Sequence, residues 1–543
     1  MYDIHDWEAK VFQELKGKSV SSLDTRLVCG VVNSILYTQR PDNSVQSVKN
    51  IPSDSLLGWK VCQQIDSLDA WKEYRQQENG HATSRVSWRD YQELQANGVP
   101  VGEHSWFVFP EKFSDIESSL SVSYCWDVFV QICMDTKKTN AEEIPQQIAH
   151  MLSCKDPCLY VDLASWQMMG VDSVQEITLL LAALAEFSRI CTHTTEWLDW
   201  VHISVGVDGN IFENVAKLRA IRRVVDSFAV QAGISGAYTI HATNALRMWT
   251  LFDGHVNLLR ATNSAIASIW GGADVITTLP FDCLTGSSKL SRRIAENIHY
   301  VLGEESQLGN WVDPMAGSYY MENFTASLTE KGWNAFTEIE KRGGLIAEIA
   351  NGNIAQMVQR SLKQRETLIH TRKIPITGTT EYANPAEKVS LTKEQYAALY
   401  QIPSLHRRDS QTIEEMRLLW QEQGTPTVSI FVRGDMDTWK ARADFVSQFF
   451  AIMGWNSVVV DTQTDAGEHI QCACIVATDG VYSTEGLEWA TEVGQRCSLL
   501  FLAGKNTHNI PHITELYYGM NIVEKWHSIR DLLAISNHTN DRT

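Results

Sequence analysis

The sequence predicts an α/β protein made of two successive α/β segments, and three observations carry that prediction. Between about residues 55 and 370, short β-rich runs alternate with stretches of helical period. Residues 371–425 break the rhythm with Pro375, Gly378, Pro385 and Pro403. From residue 426 the alternation resumes and runs to residue 543. Helices alternating with short apolar strands argue for βαβ units and parallel sheet.

Residues 1–54 hold a helical stretch at Trp7–Leu15, then polar Ser- and Asn-rich text, and read as an arm that needs a surface to pack on. In 55–370 the clearest strands are 158–165, 200–208, 237–244 and 273–282. Between them lie the helical runs Val174–Ile190, Phe212–Ala232 and Val256–Trp270. Such units build either a doubly wound sheet or an eight-stranded (β/α)8 barrel, and the rhythm leaves both open. Residues 371–425 read as a linker carrying one helical piece, Ile413–Gln423, because each Pro removes a donor and ends a helix. Beyond it, TVSIFVRGD, NSVVVDT, CACIVATD and CSLLFLAG are strands, with helices at Thr438–Met453 and Thr484–Gln495. This order is flavodoxin-like, and ligands of such sheets sit at the carboxyl ends of the strands. Here those ends are Arg433–Asp437, Ala477–Gly480 and Ala503–Asn506.

The 543 residues are 44% hydrophobic and 20% charged, a globular composition. With 46 Lys+Arg against 65 Asp+Glu the formal charge is −19, so neither nucleic acid nor an anionic membrane surface is expected as a partner. The most apolar run, Ile177–Phe187, is too short to span a bilayer and contains Glu186. The start, MYDIHDWEAK, is acidic and polar, unlike a secretory or transit leader. Eleven cysteines scattered without a framework fit reduced thiols in a cytoplasmic protein. Cys154 with Cys158, and Cys472 with Cys474, lack a second pair or a His at zinc spacing, so no metal is expected there.

Three stretches carry a resemblance. They are Arg260 to Trp270-Gly271-Gly272 with the TTLPFD that follows, 291–325 with its EES and VDPMAGSYY text, and Glu213–Arg223 with Lys217, Arg219, Arg222 and Arg223. This text resembles the barrel of the methylmalonyl-CoA mutases, and the order barrel, linker, flavodoxin-like domain is similar too. The resemblance covers nearly the whole chain and is strongest at 158–350. It implies a (β/α)8 barrel at 55–370, a linker at 371–425 and a flavodoxin-like domain of the cobalamin-binding type at 426–543. It also implies the family's chemistry. These enzymes interconvert methylmalonyl-CoA and succinyl-CoA by a radical route, with adenosylcobalamin held between barrel and flavodoxin-like domain and the CoA tail along the barrel axis. The cofactor carries the radical chemistry, while the protein binds, orients and excludes solvent.

This chain departs from the family where that chemistry is held. The cobalamin domains carry D-x-H-x-x-G, whose His ligates cobalt, whose Asp fixes the imidazole, and whose Gly lets the corrin approach. With Met453-Gly454-Trp455 as anchor, the matching positions are Asp437, Trp439 and Arg442. An indole N–H only donates and cannot ligate a metal. The S-x-L of the third strand reads Ala477-Thr478-Asp479, and the following G-G reads Gly504-Lys505. In the barrel the family's Tyr-His pair before M-Q-x-x-G is matched by Ala164-Ser165, with Gln167 and Gly170 kept. The substrate strand keeps His241 but has Thr239 where the family has Arg.

Plainer roles stand beside these. His241 reads as a strand His with a structural hydrogen bond, or a relic of the CoA pocket. Asp437 reads as the N-cap of the helix near Thr438. Arg222 and Arg223 read as an exposed helix face, a partner salt bridge or a phosphate contact. Gly271 and Gly272 read as close helix–strand packing, and Asp313-Pro314 with Gly317-Ser318 as a turn before a strand. Eighteen Trp suggest anchors at interfaces as well as core.

Family mutases also occur as two related chains, of which the smaller has lost the cofactor site. The resemblance implies that this chain is that small, non-catalytic subunit. It would bind no cofactor itself, and would pair as a heterodimer with a large subunit that holds adenosylcobalamin. The alternative is an acyl-CoA-binding or regulatory homologue with an altered ligand site. CoA binding would need an open barrel axis. A regulatory ligand would use a positive face formed by Arg433, Lys440, Arg442 and Lys505.

Overall fold

The computed structural model describes residues 4–39, 41, 57–65, 67, 69–72, 83–97, 105–110, 112–117, 122–134, 141–400, 407–460, 470–507 and 509–540. Arm residues 42–54 and the linker's Pro403 lie outside the described residues. The chain divides into two compact bodies. One comprises Met1–Arg247, Leu258–Leu362 and Pro403–Arg407, the other Met248–Asn257, Lys363–Ile402 and Arg408–Thr543.

Besides a small antiparallel pair, Thr25–Arg26 with Val32–Asn33, the first body holds an eight-stranded sheet: β1 (Lys60–Ile65), β2 (Thr83–Ser87), β3 (Ser105–Phe109), β4 (Ser123–Tyr124), β5 (Leu159–Asp162), β6 (Val201–Val207), β7 (Thr239–Asn244) and β8 (Val275–Thr277). Their order is β4-β3-β2-β1-β8-β7-β6-β5, parallel throughout. The β1–β8 ladder, with Lys60 opposite Val275, joins the first strand to the last. Between β4 and β5, at the two ends of that order, no ladder forms among the described residues. There Asp127, three residues past β4, accepts the Asp162 N–H at 2.7 Å. This is a nearly closed barrel, which decides between the two folds the rhythm allowed.

The outward side chains of β6, Val201, Ile203, Val205 and Val207, are fully buried, as expected of a strand with helices behind it. The helices Ser173–Ile190, Ile211–Ala232 and Val256–Trp270 fall where the sequence puts them, each within a residue. Two readings are corrected. The strand expected to run to residue 165 stops at Asp162, because the Asp162 carboxylate caps the short helix Leu163–Met168. The segment after Gly317-Ser318 is not a strand but the helix Tyr319–Lys341, started by Ser318, whose hydroxyl accepts the Met321 N–H.

The second body carries β9 (Thr427–Val432), β10 (Asn456–Val460), β11 (Ile470–Val476), β12 (Cys497–Ala503) and β13 (Thr514–Leu516), in the parallel order β10-β9-β11-β12-β13. That is the flavodoxin-like order, with its switch point between β9 and β11. The linker is not a loose tether: its Ile376, Ile413, Met416 and Trp420 share one core with Val428, Ile430 and Phe450. Among the described residues, no helix is long and apolar enough to cross a membrane.

Candidate functional site

The carboxyl edge of the second sheet is the first place to look for a ligand, because strand order reverses there. The helix after β9 begins at Met436, two residues before the expected start, with Asp435 at the cap position. Asp437 is therefore not the N-cap but an exposed residue of the first turn, where a carboxylate favours the helix dipole. Trp439 is half-buried and packs against the core formed by Val428, Ile430 and Cys474.

Arg442 lies one turn further along and reaches across the strand ends. Its guanidinium donates to the Ala477 carbonyl at 2.8 Å, to the Ala503 carbonyl at 3.4 Å and to Asp479 Oδ1 at 2.8 Å. Its head group also lies 5.8 Å from the centre of the Tyr482 ring. The Tyr482 hydroxyl accepts the Ala477 N–H at 2.9 Å and lies 3.1 Å from the Ile475 and Ala503 carbonyl oxygens. Thr478 caps the next helix, so Asp479 sits in its first turn rather than in a strand-end loop; the helix starts five residues before the expected Thr484. Gly504 has φ of +136°, which by itself requires glycine, and a Cβ there would meet Arg442 only at ordinary contact distance.

The expected positive face is largely neutralised. Arg433 pairs with Glu485 at 3.0 Å and Glu492 at 3.1 Å, Lys440 with Asp444 at 3.5 Å, and Arg442 with Asp479. Lys505 is exposed, with its ammonium 5.2 Å from the Tyr517 ring centre.

The barrel lumen is the second place. Side chains from opposite walls meet there, which requires the axis to be filled. Phe107 of β3 touches His202 of β6 and His241 of β7, with ring centres 5.5 and 5.3 Å apart. Phe109 of β3 meets Tyr160 of β5 at 5.9 Å. Arg85 of β2 lies 4.2 Å from the Phe109 ring centre and 3.5 Å from Thr243 Oγ1 of β7. Cys62, Phe107, Cys125, Cys158, Tyr160 and Val275 form one buried cluster. Sequence reasoning missed Arg85, Phe107, Phe109 and His202. Their signal is the inward parity of alternate strand residues, readable only once the strands are known.

His241 is buried, with Nε2 2.7 Å from Thr277 Oγ1. Ser165, in place of the family's His, is spent on Asp162: its N–H and hydroxyl donate to the two carboxylate oxygens at 3.1 and 2.6 Å. Ala164 is half-buried beside it, and Thr239 begins β7. Gln167 packs against Gly206, where any Cβ would fall 2.1 Å from Gln167 Oε1. Gly170 has φ of +95°, and a Cβ there would come within 2.8 Å of the Leu362 backbone. Both motif residues therefore have packing reasons to be what they are.

The basic run on Ile211–Ala232 corrects another expectation. Arg222 and Arg223 are buried, not exposed. Arg222 donates to the Gly272 carbonyl and to Asp274, both at 2.6 Å, and Arg223 to Glu322 at 2.8 Å. Arg219 donates to Asp313, Glu322 and Thr325, and Lys217 to Glu176 and the Gly206 carbonyl. Gly271 packs on Leu218, where a Cβ would lie 2.5 Å from Leu218 Cδ1. The three resembling stretches thus meet in one scaffold.

Residues 160–418 match the family model for methylmalonyl-CoA mutase. That stretch, just under half of the chain, belongs to the methylmalonyl-CoA mutase family. It is similar to the methylmalonyl-CoA mutase small subunit of Propionibacterium freudenreichii subsp. shermanii, 28% identical over 69% of this chain and 63% of that protein. It is also similar to the small subunit of Streptomyces virginiae, 30% identical over 64% of this chain and 60% of the relative. With that of Porphyromonas gingivalis it is 32% identical over 48% and 44%. The matched stretch spans less than two thirds of the length of these curated relatives.

The family uses adenosylcobalamin. The residues at the switch point do not fit a cobalt-holding site of the family's kind. Trp439, which the motif matching of the sequence sets against the cobalt ligand, packs its indole against the core, and the Arg442 guanidinium lies across the strand ends. Among the described residues, no group of three His, Cys, Asp or Glu could hold a metal ion. The thiols of Cys62, Cys125, Cys158 and Cys474 are all pushed up by burial, as inert core cysteines are.

Proposed function

We propose that this chain is the non-catalytic small subunit of a heterodimeric, adenosylcobalamin-dependent methylmalonyl-CoA mutase. The large subunit then holds the cofactor and carries out the isomerisation. The observation that carries the reading is Arg442 spanning the ends of β11 and β12, one turn from Trp439 at the ligand position. The filled axis supports the same reading against an acyl-CoA-binding homologue. A CoA tail along that path would have to part Phe107 from His202 and His241. The paired cations weaken the regulatory-ligand alternative, since little net positive charge is left on that face.

The contact with the large subunit is made by the arm. The helix Ile4–Glu14 buries none of its residues. Phe12 and Val32 are each 50% exposed, Ile35 48% and Leu36 44%, a concentration of apolar surface that marks a contact site. A groove of about 760 Å³ runs between this helix and residues 34–38. The arm is tied to the barrel at two points: the Lys331 ammonium donates to the Gly30 carbonyl at 2.7 Å, and the Asn33 amide to the Tyr320 hydroxyl at 3.0 Å.

The test is co-purification with the larger mutase homologue encoded in the same genome. The full chain is expected to elute with it as a stoichiometric pair. Deletion of residues 1–45, or the milder triple change Phe12→Asp, Ile35→Asp and Leu36→Asp, is expected to separate the two. Pairs that stay tight in both variants would remove the arm from the interface, and failure of the full chain to pair at all would remove the subunit assignment.

A further inference from the structure

The carboxyl edge of the second sheet poses an accounting problem that the arrangement of Arg442 answers. Ala477 and Ala503 follow or end their strands and are 0% and 1% exposed. Their carbonyls lie at the end of the sheet ladder, and a buried backbone acceptor must find a donor. In sheets of this order a ligand or water at the switch point can supply one. Here the donors come from the chain itself. The Arg442 guanidinium serves Ala477 and Ala503 together, and the Tyr482 hydroxyl serves the Ala477 N–H and the ends of β11 and β12. Asp479 holds the same guanidinium from the first turn of the neighbouring helix.

We propose that Arg442 is a permanent internal occupant of this crevice, a guanidinium strut that bridges the ends of β11 and β12 where a ligand would otherwise bind. The inference rests on the reading that this domain holds no cobalamin, and extends it. The crevice is not a vacant pocket awaiting another small molecule, because any ligand entering must first displace a side chain that donates to two buried carbonyls. The domain's order then depends on Arg442 rather than on a cofactor. Of its contacts, those to the carbonyls matter most. Asp479 is 78% exposed, and a pair so open to solvent contributes little.

The test is guanidinium rescue in the full chain. Arg442→Gly removes the strut and leaves a cavity of its shape. Its unfolding transition, followed by the fluorescence of the domain's buried Trp455 and Trp489, is expected to fall by several degrees. Millimolar guanidinium chloride is expected to restore much of that loss in the variant, while sodium chloride at equal ionic strength does not, and neither salt raises the wild type. Arg442→Gln, which keeps one amide donor, is expected to fall between the two and covers the case in which the glycine variant does not fold. Asp479→Asn is expected to change the transition little. An unchanged transition in both Arg442 variants, or a loss that guanidinium does not specifically reverse, would overturn the strut. Cobalamin binding by the wild-type chain would instead overturn the functional reading, and the two failures are read separately.

Discussion

Replacing Lys217 with methionine is expected to destabilise the barrel by about 3–5 kcal/mol, the cost of removing one partner from a buried ion pair. Lys217 and Glu176 have side chains only 1% exposed. The ammonium donates to both Glu176 oxygens, at 3.1 and 3.0 Å, and to the Gly206 carbonyl of β6 at 2.8 Å. One side chain therefore joins the helix Ile211–Ala232 to the helix Ser173–Ile190 and to a barrel strand. Methionine fills the volume but leaves Glu176 without a counter-charge and a strand carbonyl without its donor. Burial already pushes the Glu176 carboxyl up to about 7, and Lys217 opposes that shift, so losing the lysine drives the carboxyl to protonate. The double variant Lys217→Met with Glu176→Leu removes both charges and is expected to cost less than the two single changes summed. The midpoint of the barrel's urea transition measures all three. Strictly additive costs would mean that the two side chains do not act as a pair.

Between pH 6.5 and pH 4 the resistance of His202 and His241 to protonation is expected to take several kcal/mol from the barrel, against an opposite contribution from Glu176 and Asp127, whose carboxyls burial pushes up to about 7. Burial pushes His202 down to about 4. Burial, the Arg85 guanidinium and His202 together push His241 down to about 3. Both are near 6.5 in the unfolded chain. Between those values the unfolded state binds more protons at these two rings than the native state, so their contribution to stability rises with pH across this window. It is fully present above pH 6.5 and is lost as pH falls toward 4, at up to about 1.4 kcal/mol per pH unit for each ring. The packing explains the resistance to charge. Phe107 lies against both rings, Arg85 already brings a cation into the lumen, and the buried His202 Nδ1 has no hydrogen-bond partner among the described residues. His202→Phe keeps the bulk and removes one titration. The variant should then gain on the wild type in melting temperature as pH falls from 6.5 to 4, and a difference that does not change with pH would take His202 out of the account.

The legible parts of the sequence were those written by period and capping. The barrel helices and the strands β6 and β9 could be read because apolar spacing and flanking turn residues agree there. The barrel's closure was not legible from rhythm, since the β1–β8 ladder pairs residues far apart in sequence, and β4 has only two residues. β13, three residues long, and the final helix Ile522–Asn540 were missed for related reasons. The strand is too short to alternate, and the helix carries no sharp apolar stripe. At the candidate site, the residue types at Trp439 and Arg442 were informative because an indole cannot ligate a metal whatever surrounds it. What Arg442 does instead depends on carbonyls distant in sequence and was not readable. The exposed face offered as one reading of Arg222 and Arg223 did not hold, because two adjacent arginines on a helix look solvated until Asp274 and Glu322 are brought to them by the fold.

The most direct measurement is the visible spectrum of adenosylcobalamin mixed with this purified chain, then desalted, with and without the larger homologue. The chain alone should leave the coenzyme's spectrum unaltered and retain none of it, whereas the mixture should carry bound coenzyme. Stoichiometric retention by this polypeptide on its own, with the spectral change of an altered lower cobalt ligand, would contradict the assignment.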